Sequence, residues 1–438
     1  MNPLSHWYRG ARADWPMVPL RGVAKMGTGH TPDRTKPEYW ENCTIPWVTA
    51  ADLSTRPSEF EPLTDTSQYA SPLGVANSSA VVHPAETVMF CRTASVGLLA
   101  ITERPMATTQ AFVTWTAGPR LLPRYLLFVI AAMRPELMSI AYGSTHLTIY
   151  MPDLKALEIP LPPLDEQRRI VDFLDDQVAR IDQVATLRQQ QNRLTRVHRD
   201  AFVYATVTGQ DKLERSGIGP VWASQIPEDW RNTKVCYVAR LGSGHTPSRS
   251  RPEWWVDGTV PWITTGEVAS LRSDDVEHIT TTREKLSLLG IENSSATVHP
   301  GGTVVLCRTA ASAGYSGVMP APMCTSQDFA TWTCGSSLDP YWLLWCLRAM
   351  RSDLLERLAM GSTFKTIYMP DLEGIRIPLP SLVEQSSRVA RIRNAVAAAK
   401  AQTSLVTQDI KLLRERKQAL ITAAVTGQFD VSTGRSAA

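Results

Sequence analysis

The sequence predicts an α+β protein of two tandem globular halves, each followed by a long α-helix, with the two helices paired as an antiparallel coiled coil under pseudo-two-fold symmetry. Three observations predict it. The passage "GSTHLTIYMPDLKALEIPLPPLDEQ" at 143–167 returns 218 positions later as "GSTFKTIYMPDLEGIRIPLPSLVEQ", with seventeen of twenty-five positions identical. Each copy opens into more than forty residues that contain neither Gly nor Pro. The text ahead of each copy is instead broken into short Val, Ile, Thr and Trp clusters bounded by Pro, Gly or Asn, as strands joined by irregular loops are.

The repeat extends over nearly the whole chain. "MGTGHTPDRTKPEYW" (26–40) returns as "LGSGHTPSRSRPEWW" (241–255), "IPWVTAADL" (45–53) as "VPWITTGEV" (260–268), and "NSSAVVHPAETVMFCRTASVG" (77–97) as "NSSATVHPGGTVVLCRTAASAG" (293–314). This sets the expected boundaries: a globular half over 1–160, a helix over 161–210, a second globular half over 211–378, a second helix over 379–430 and a tail over 431–438. Within the globular halves, "PRYLLFVIAAMRPELMSIA" (123–141) and "PYWLLWCLRAMRSDLLERLA" (340–359) read as helices with Pro at the start and apolar residues on one face.

The long helices are the plainest elements. From Asp165 to Val207 apolar residues fall at Ile170, Leu174, Val178, Ile181, Val184, Leu187 and Leu194. From Leu382 to Val425 they fall at Val389, Ile392, Val396, Ala399, Val406, Ile410, Leu413 and Leu420. Steps of three and four make one stripe per helix. Ser381 and Glu384 spell a capping box, and Gly209 and Gly427 in "TGQ" suit the position just past a helix end. At 1.5 Å per residue each helix is about 60 Å long, too long to bury its stripe on its own globular half, so each is expected to pair with the other. Self-complementary patches favour two-fold symmetry, which predicts the antiparallel direction.

At 438 residues the chain has room for about three ordinary domains. No apolar run reaches the ~18 residues that span a bilayer, and the first residues lack a signal pattern, so a cytoplasmic location is expected. Seven cysteines without a C-x-x-C pair fit a reduced compartment. There is no phosphate-cradling G-x-x-x-x-G-K-[ST], no G-x-G-x-x-G before a helix, no H-E-x-x-H, no methyltransferase Asn/Asp-Pro-Pro-aromatic segment and no nuclease-type acidic cluster. A binding protein without catalysis is therefore expected. Net charge is only +3, and outside the helices 30 bases face 32 acids, so composition alone does not point to nucleic acid.

Loop-like text does carry, twice, residue types that suit DNA. The first copy has His30, Thr31, Arg34, Lys36, Trp47, Thr49, Arg92, Thr93, Ser144, Thr145, His146 and Tyr150. The second has His245, Thr246, Arg249, Arg251, Trp262, Thr264, Arg308, Thr309, Ser362, Thr363, Lys365 and Tyr368. Arg and Lys pair phosphates or grip guanine, while Thr, Asn and His read base edges. Trp47 and Trp262, each after a Pro, suit a core anchor as well as a base contact. His83-Pro84 and His299-Pro300 read as turns. On the helices, Arg168, Arg169, Arg188, Arg193, Arg196, Arg391, Arg393, Lys411, Arg414 and Lys417 are expected to face outward.

A "W-x-x-V-P-L-x-x-V-A" entry (15–24, with "WRNTKVCYVA" at 230–239 departing at Lys234-Val235), a G-x-T-P turn, a G-S-T leading to "DLKALEIPLPPLDEQ", and then a long helix, all duplicated, resemble the specificity subunits of type I restriction-modification systems. The resemblance covers nearly the whole chain. It implies that each globular half is a target recognition domain reading one half of a split site in double-stranded DNA, and that the helices space the two. It implies no catalysis and no cofactor in this chain. Two methylation subunits would carry S-adenosylmethionine and methylate adenine, and restriction subunits, where present, would use ATP and Mg. Docking is expected at the helix ends and flanking loops. The likeness of the repeats predicts partly similar half-sites, differing through the divergent passages 54–76 against 269–292 and 98–142 against 315–360. The competing expectation is a tandem scaffold that grips other ligands and does not read DNA.

Overall fold

The computed structural model describes Tyr8 and residues 11–143, 147–212, 214, 217–360, 366–431 and 435–436. The chain forms two compact units, Met1–Gln189 with Gln408–Ala438, and Gln190–Thr407. Each therefore combines one globular half with the start of one long helix and the end of the other.

In the first unit an antiparallel sheet runs in the order Ala24–Thr28, Phe112–Ala117, Val88–Cys91, Leu99–Ile101. Its central strands are buried at successive positions because both faces are covered. Val88, Phe90, Val113 and Trp115 belong to the main core, while Met89, Cys91 and Phe112 join Val48, Leu53, Leu63 and Met106 on the other side. A smaller sheet sets Ile45–Val48 antiparallel to Tyr69–Ala70 and parallel to Ala107–Thr108.

The helix Pro123–Ser139 lies on the larger sheet, but it is not the one-faced helix that its sequence predicts. Tyr125 to Met133 are buried without interruption. The second face is taken by the end of the other long helix: Tyr125 Oη donates to the carbonyls of Pro160 and Val425 at 3.1 Å each, and Gln418 Nε2 donates to those of Ala131 and Ala132.

The long helices span Leu164–Thr208 and Leu382–Val425. In the first unit Asp182 pairs with Lys417 at 2.6 Å and Arg188 with Asp409 at 3.7 Å, while Ile170 and Val178 share a core with Ile421 and Val425. In the second unit Asn192 bonds Thr407, and Arg388 Nη1 donates to the Thr206 carbonyl at 2.9 Å. Numbers rise on one helix as they fall on the other, so within each unit the pair is antiparallel. The stripe is only partly covered. Ile170, Leu174, Val178 and Ile181 are buried, but Val184, Leu187 and Leu194 are 42, 56 and 50% exposed.

The duplicated joint passage has a physical reason. Gln167 is fully buried; its Oε1 accepts from the Leu122 N–H at 2.8 Å, and its Nε2 donates to the carbonyls of Arg120 and Pro162 at 2.9 Å. Gln385 repeats this on Asp339, Ser337 and Pro380. One amide thus satisfies three backbone groups and locks the helix start to its domain. The capping box at Ser381 is half made. Its hydroxyl accepts from the Glu384 N–H at 3.4 Å, while the Glu384 carboxylate turns to Trp230, Arg388 and Lys212. At the helix ends Gly209 and Gly427 have φ of +68° and +74°. A Cβ there would lie 2.4 Å from Pro227 or 2.7 Å from Arg12, so conformation and packing both demand glycine.

Candidate nucleic-acid interface

The chain brings distant loops into one ridge by close backbone approach. At Gly29 a Cβ would sit 1.9 Å from the Thr108 carbonyl, and at Gly244 2.0 Å from that of Thr325. The next N–H, of His30 or His245, donates to that same carbonyl at 3.0 Å. This lays the G-H-T-P loop against the segment between two strands. Thr31 Oγ1 donates to Gln110 Oε1 at 2.8 Å, and Thr246 does so to Gln327.

Arg92 extends the ridge. Its Nη2 donates to the Gln110 carbonyl at 3.2 Å and its Nη1 to that of Ile149 at 3.4 Å, which places exposed Tyr150 next in line. Arg308 makes the same two contacts with Gln327 and Ile367, beside Tyr368. Thr93 and Thr309 pair by backbone bridges with Thr148 and Thr366. Each unit therefore presents Thr, Gln, Arg and Tyr in one order.

Arginine and tryptophan form a second part of the surface. Arg34 lies 4.5 Å over the Trp40 ring and 5.4 Å over Trp47, and Arg249 lies 3.8 Å over Trp255 and 5.1 Å over Trp262. Trp47 and Trp262 are 2% exposed, so they underlie the arginines and offer no ring face to a base. The arginines differ in their partners. Arg34 Nη2 donates to the neutral Gln68 Oε1 at 3.3 Å, whereas Arg249 makes a two-pronged ion pair with Glu284 at 2.5 and 2.7 Å. That pair raises the arginine pKa and lowers that of the carboxylate.

Other predicted residues serve local structure. Thr49 Oγ1 and N–H both donate to Asp52, opening the short helix Ala50–Ser54, and Thr264 does the same with Glu267. Lys36 contacts the Tyr39 hydroxyl at 3.3 Å, and Arg251 pairs with Glu253 at 3.6 Å. Ser144, Thr145, His146, Ser362, Thr363 and Lys365 lie outside the described residues.

His83 and His299 are not turns. Their backbones bridge to Met106 and Met323, and their rings are buried. Gln110 and Gln327 were not among the sequence-predicted contacts, although T-x-Q recurs in "TTQAF" and "TSQDF" and could have marked them. Among the described residues no group of three His, Cys, Asp or Glu side chains could hold a metal ion, and no helix is long and apolar enough to cross a membrane.

Comparison with known proteins follows the same duplication. The family model of the type I restriction modification DNA specificity domain matches residues 12–195 and again 227–404. The chain is 24% identical over 254 residues to the type I restriction enzyme MjaIX specificity subunit of Methanocaldococcus jannaschii, a match that spans 57% of each protein. It is 28% identical over 163 residues to the EcoR124I/EcoR124II specificity subunit of Escherichia coli, over 36% of this chain and 39% of that one. Among solved structures, a chain from work on complex assembly and conformational transition of the type I R-M system gives a TM-score of 0.71 at 20% identity, covering 95% of this chain and 98% of that one. The HsdS subunit from Thermoanaerobacter tengcongensis gives 0.52 at 20% identity and the same coverage. At that identity the likeness is one of fold.

Proposed function

The chain belongs to the family of type I restriction-modification specificity subunits, and from that premise we propose that it reads a split site in double-stranded DNA for a methylating enzyme, one half-site per recognition domain. The observation that carries this reading is the ridge of Thr, Gln, Arg and Tyr, built by the same side-chain contacts in both units. A repeated, donor-rich, exposed surface suits two short stretches of duplex, where Arg and Gln side chains read base edges and cationic groups meet phosphates.

Catalysis then resides in partners. Two methylation subunits use S-adenosylmethionine to methylate adenine, and restriction subunits, where present, supply ATP-driven cleavage. Most basic residues of the helices are paired within the chain, so their charge does not by itself mark where those partners dock. Arg168, Arg169, Arg188, Arg391, Arg393, Lys411 and Lys417 are engaged by carboxylates of this chain. Arg193, Arg196 and Arg414 stay exposed. So do Val184, Leu187 and Leu412 in the first unit and Leu194, Val197 and Leu405 in the second, which favours docking along the middle of each helix.

Modified-base sequencing of DNA from cells that express the methylation partner, with and without this chain, tests the reading. The expected result is a split motif with methyladenine in both halves, present only with the chain. An active, complexed partner giving the same methylation in both cells would overturn it in favour of a scaffold that does not read DNA.

A further inference from the structure

We propose that the two recognition domains read different half-sites because two carboxylates of the second, Glu284 and Asp328, stand where the first has Gln68 and Ala111. The inference rests on the DNA-reading role proposed above.

The frame around these positions is shared. Thr31 and Thr246, Gln110 and Gln327, and Arg92 and Arg308 are pairwise identical and equivalently bonded, and Tyr150 and Tyr368 are identical and equally exposed, so they supply what the two half-sites have in common. The two changes fall on that frame, one in each of the divergent passages.

The first change controls an arginine. Arg34, on its tryptophan bed, has one hydrogen bond, to a neutral amide at 3.3 Å. A guanidinium has five N–H donors, so Arg34 keeps its charge and most of its donors for a pair of acceptor atoms. Those are offered by guanine O6 and N7 or by phosphate oxygens. Arg249 sits on the same bed but is neutralised by both oxygens of Glu284, at 2.5 and 2.7 Å. Its charge is thus compensated and the end of its fork is occupied, leaving only the outer donors.

The second change adds an acceptor. Asp328 Oδ1 accepts from Thr309 Oγ1 at 2.9 Å and Oδ2 from Ser326 Oγ at 3.0 Å, which fixes the carboxylate beside Gln327 and Arg308. Each oxygen retains a free lone pair. Phosphates repel such a group, so on a DNA-facing ridge it meets a donor, and in the major groove the base donors are the amines of cytosine and adenine. The first domain has only the Ala111 methyl group here. The first half-site is thus read through an open arginine, and the second through a fixed carboxylate beside an arginine already paired within the chain.

The test is modified-base sequencing with the full chain and its methylation partner, comparing wild type with Q68E, A111D, E284Q and D328A. D328A is expected to abolish the preference for cytosine or adenine at one position of the second half-site and leave the first unchanged. Q68E is expected to act on the first half-site only. Loss of a guanine preference identifies a base contact, and a fall in methylation on the order of tenfold with the motif unchanged identifies a phosphate contact. The unaltered half-site in the same molecule reports that each variant is folded, and D328N replaces D328A if that complex fails to assemble. If wild type gives a split motif and the variants alter neither half-site, the proposal is overturned while the DNA-reading role stands. If wild type gives no split motif, both fall together.

Discussion

His83 and His299 show what a single residue contributes that its neighbours in sequence do not reveal. Each is followed by Pro, which reads as a turn, yet each backbone bonds a methionine both ways, with Met106 or Met323, and each ring is buried against a sheet glycine. A Cβ on Gly27 would lie 3.0 Å from His83 Cε1, and one on Gly242 3.5 Å from that of His299. The partners of His83 lie 23 and 56 positions away, beyond any local pattern. Burial pushes both imidazoles below their ordinary pKa of 6.5, because the charged ring would lose its hydration. The unfolded chain then takes up protons that the folded chain refuses. Above pH 6.5 both states are neutral at these rings, and stability falls as the pH drops below it. Melting temperatures from pH 7.5 to 5.5 are expected to decline, with a shallower slope in H83Q/H299Q. An unchanged slope in the double variant would rule out these rings as the source.

The long helices were legible as elements because period and the absence of Gly and Pro are local properties. Their direction followed from the two-fold symmetry of the repeat and not from charge totals, which erase position. At two equivalent sites the helices carry opposite signs: Asp175 stands where the second helix has Arg393, and Asp182 where it has Lys400. Each domain answers its own helix. Arg124 grips Asp175 at 2.5 Å, whereas Glu277 grips Arg393 at 2.8 Å and Asp275 meets Lys400 at 3.6 Å. The joints differ likewise, Phe173 against Phe429 in the first unit and Arg391 with Asp211 in the second. Giving the first helix the second helix's residue, D175R, would set two guanidinium groups together. We expect a loss of about 1–2 kcal/mol, with R124D restoring at least about 0.5 kcal/mol in a double-mutant cycle on the full chain. Strict additivity in denaturant unfolding would show that the clamp contributes nothing.

At the scale of the whole molecule, the duplication announced two like units, and the family match follows it. What the repeat could not show is that neither unit contains all of either long helix. The apolar stripe is the same text whether it covers a neighbour or closes a distant core, so Ile421, Ala424 and Val425 gave no sign that they complete the core around Tyr125 to Met133. This has a consequence for synthesis. A ribosome finishes every residue of the second unit, Gln190–Thr407, before it makes the segment from Gln408 onward that seals the first. The half translated first is thus the last to close, and until then its central helix shows one bare apolar flank. A chain stopped after Thr407 should lose amide-exchange protection at residues 125–133 while Trp342 to Leu347 stay protected, although every residue of the first globular half is present. Equal protection in both helices would mean that the domain closes unaided. A nonsense change in the last helix is, on this account, a lesion of the first recognition domain.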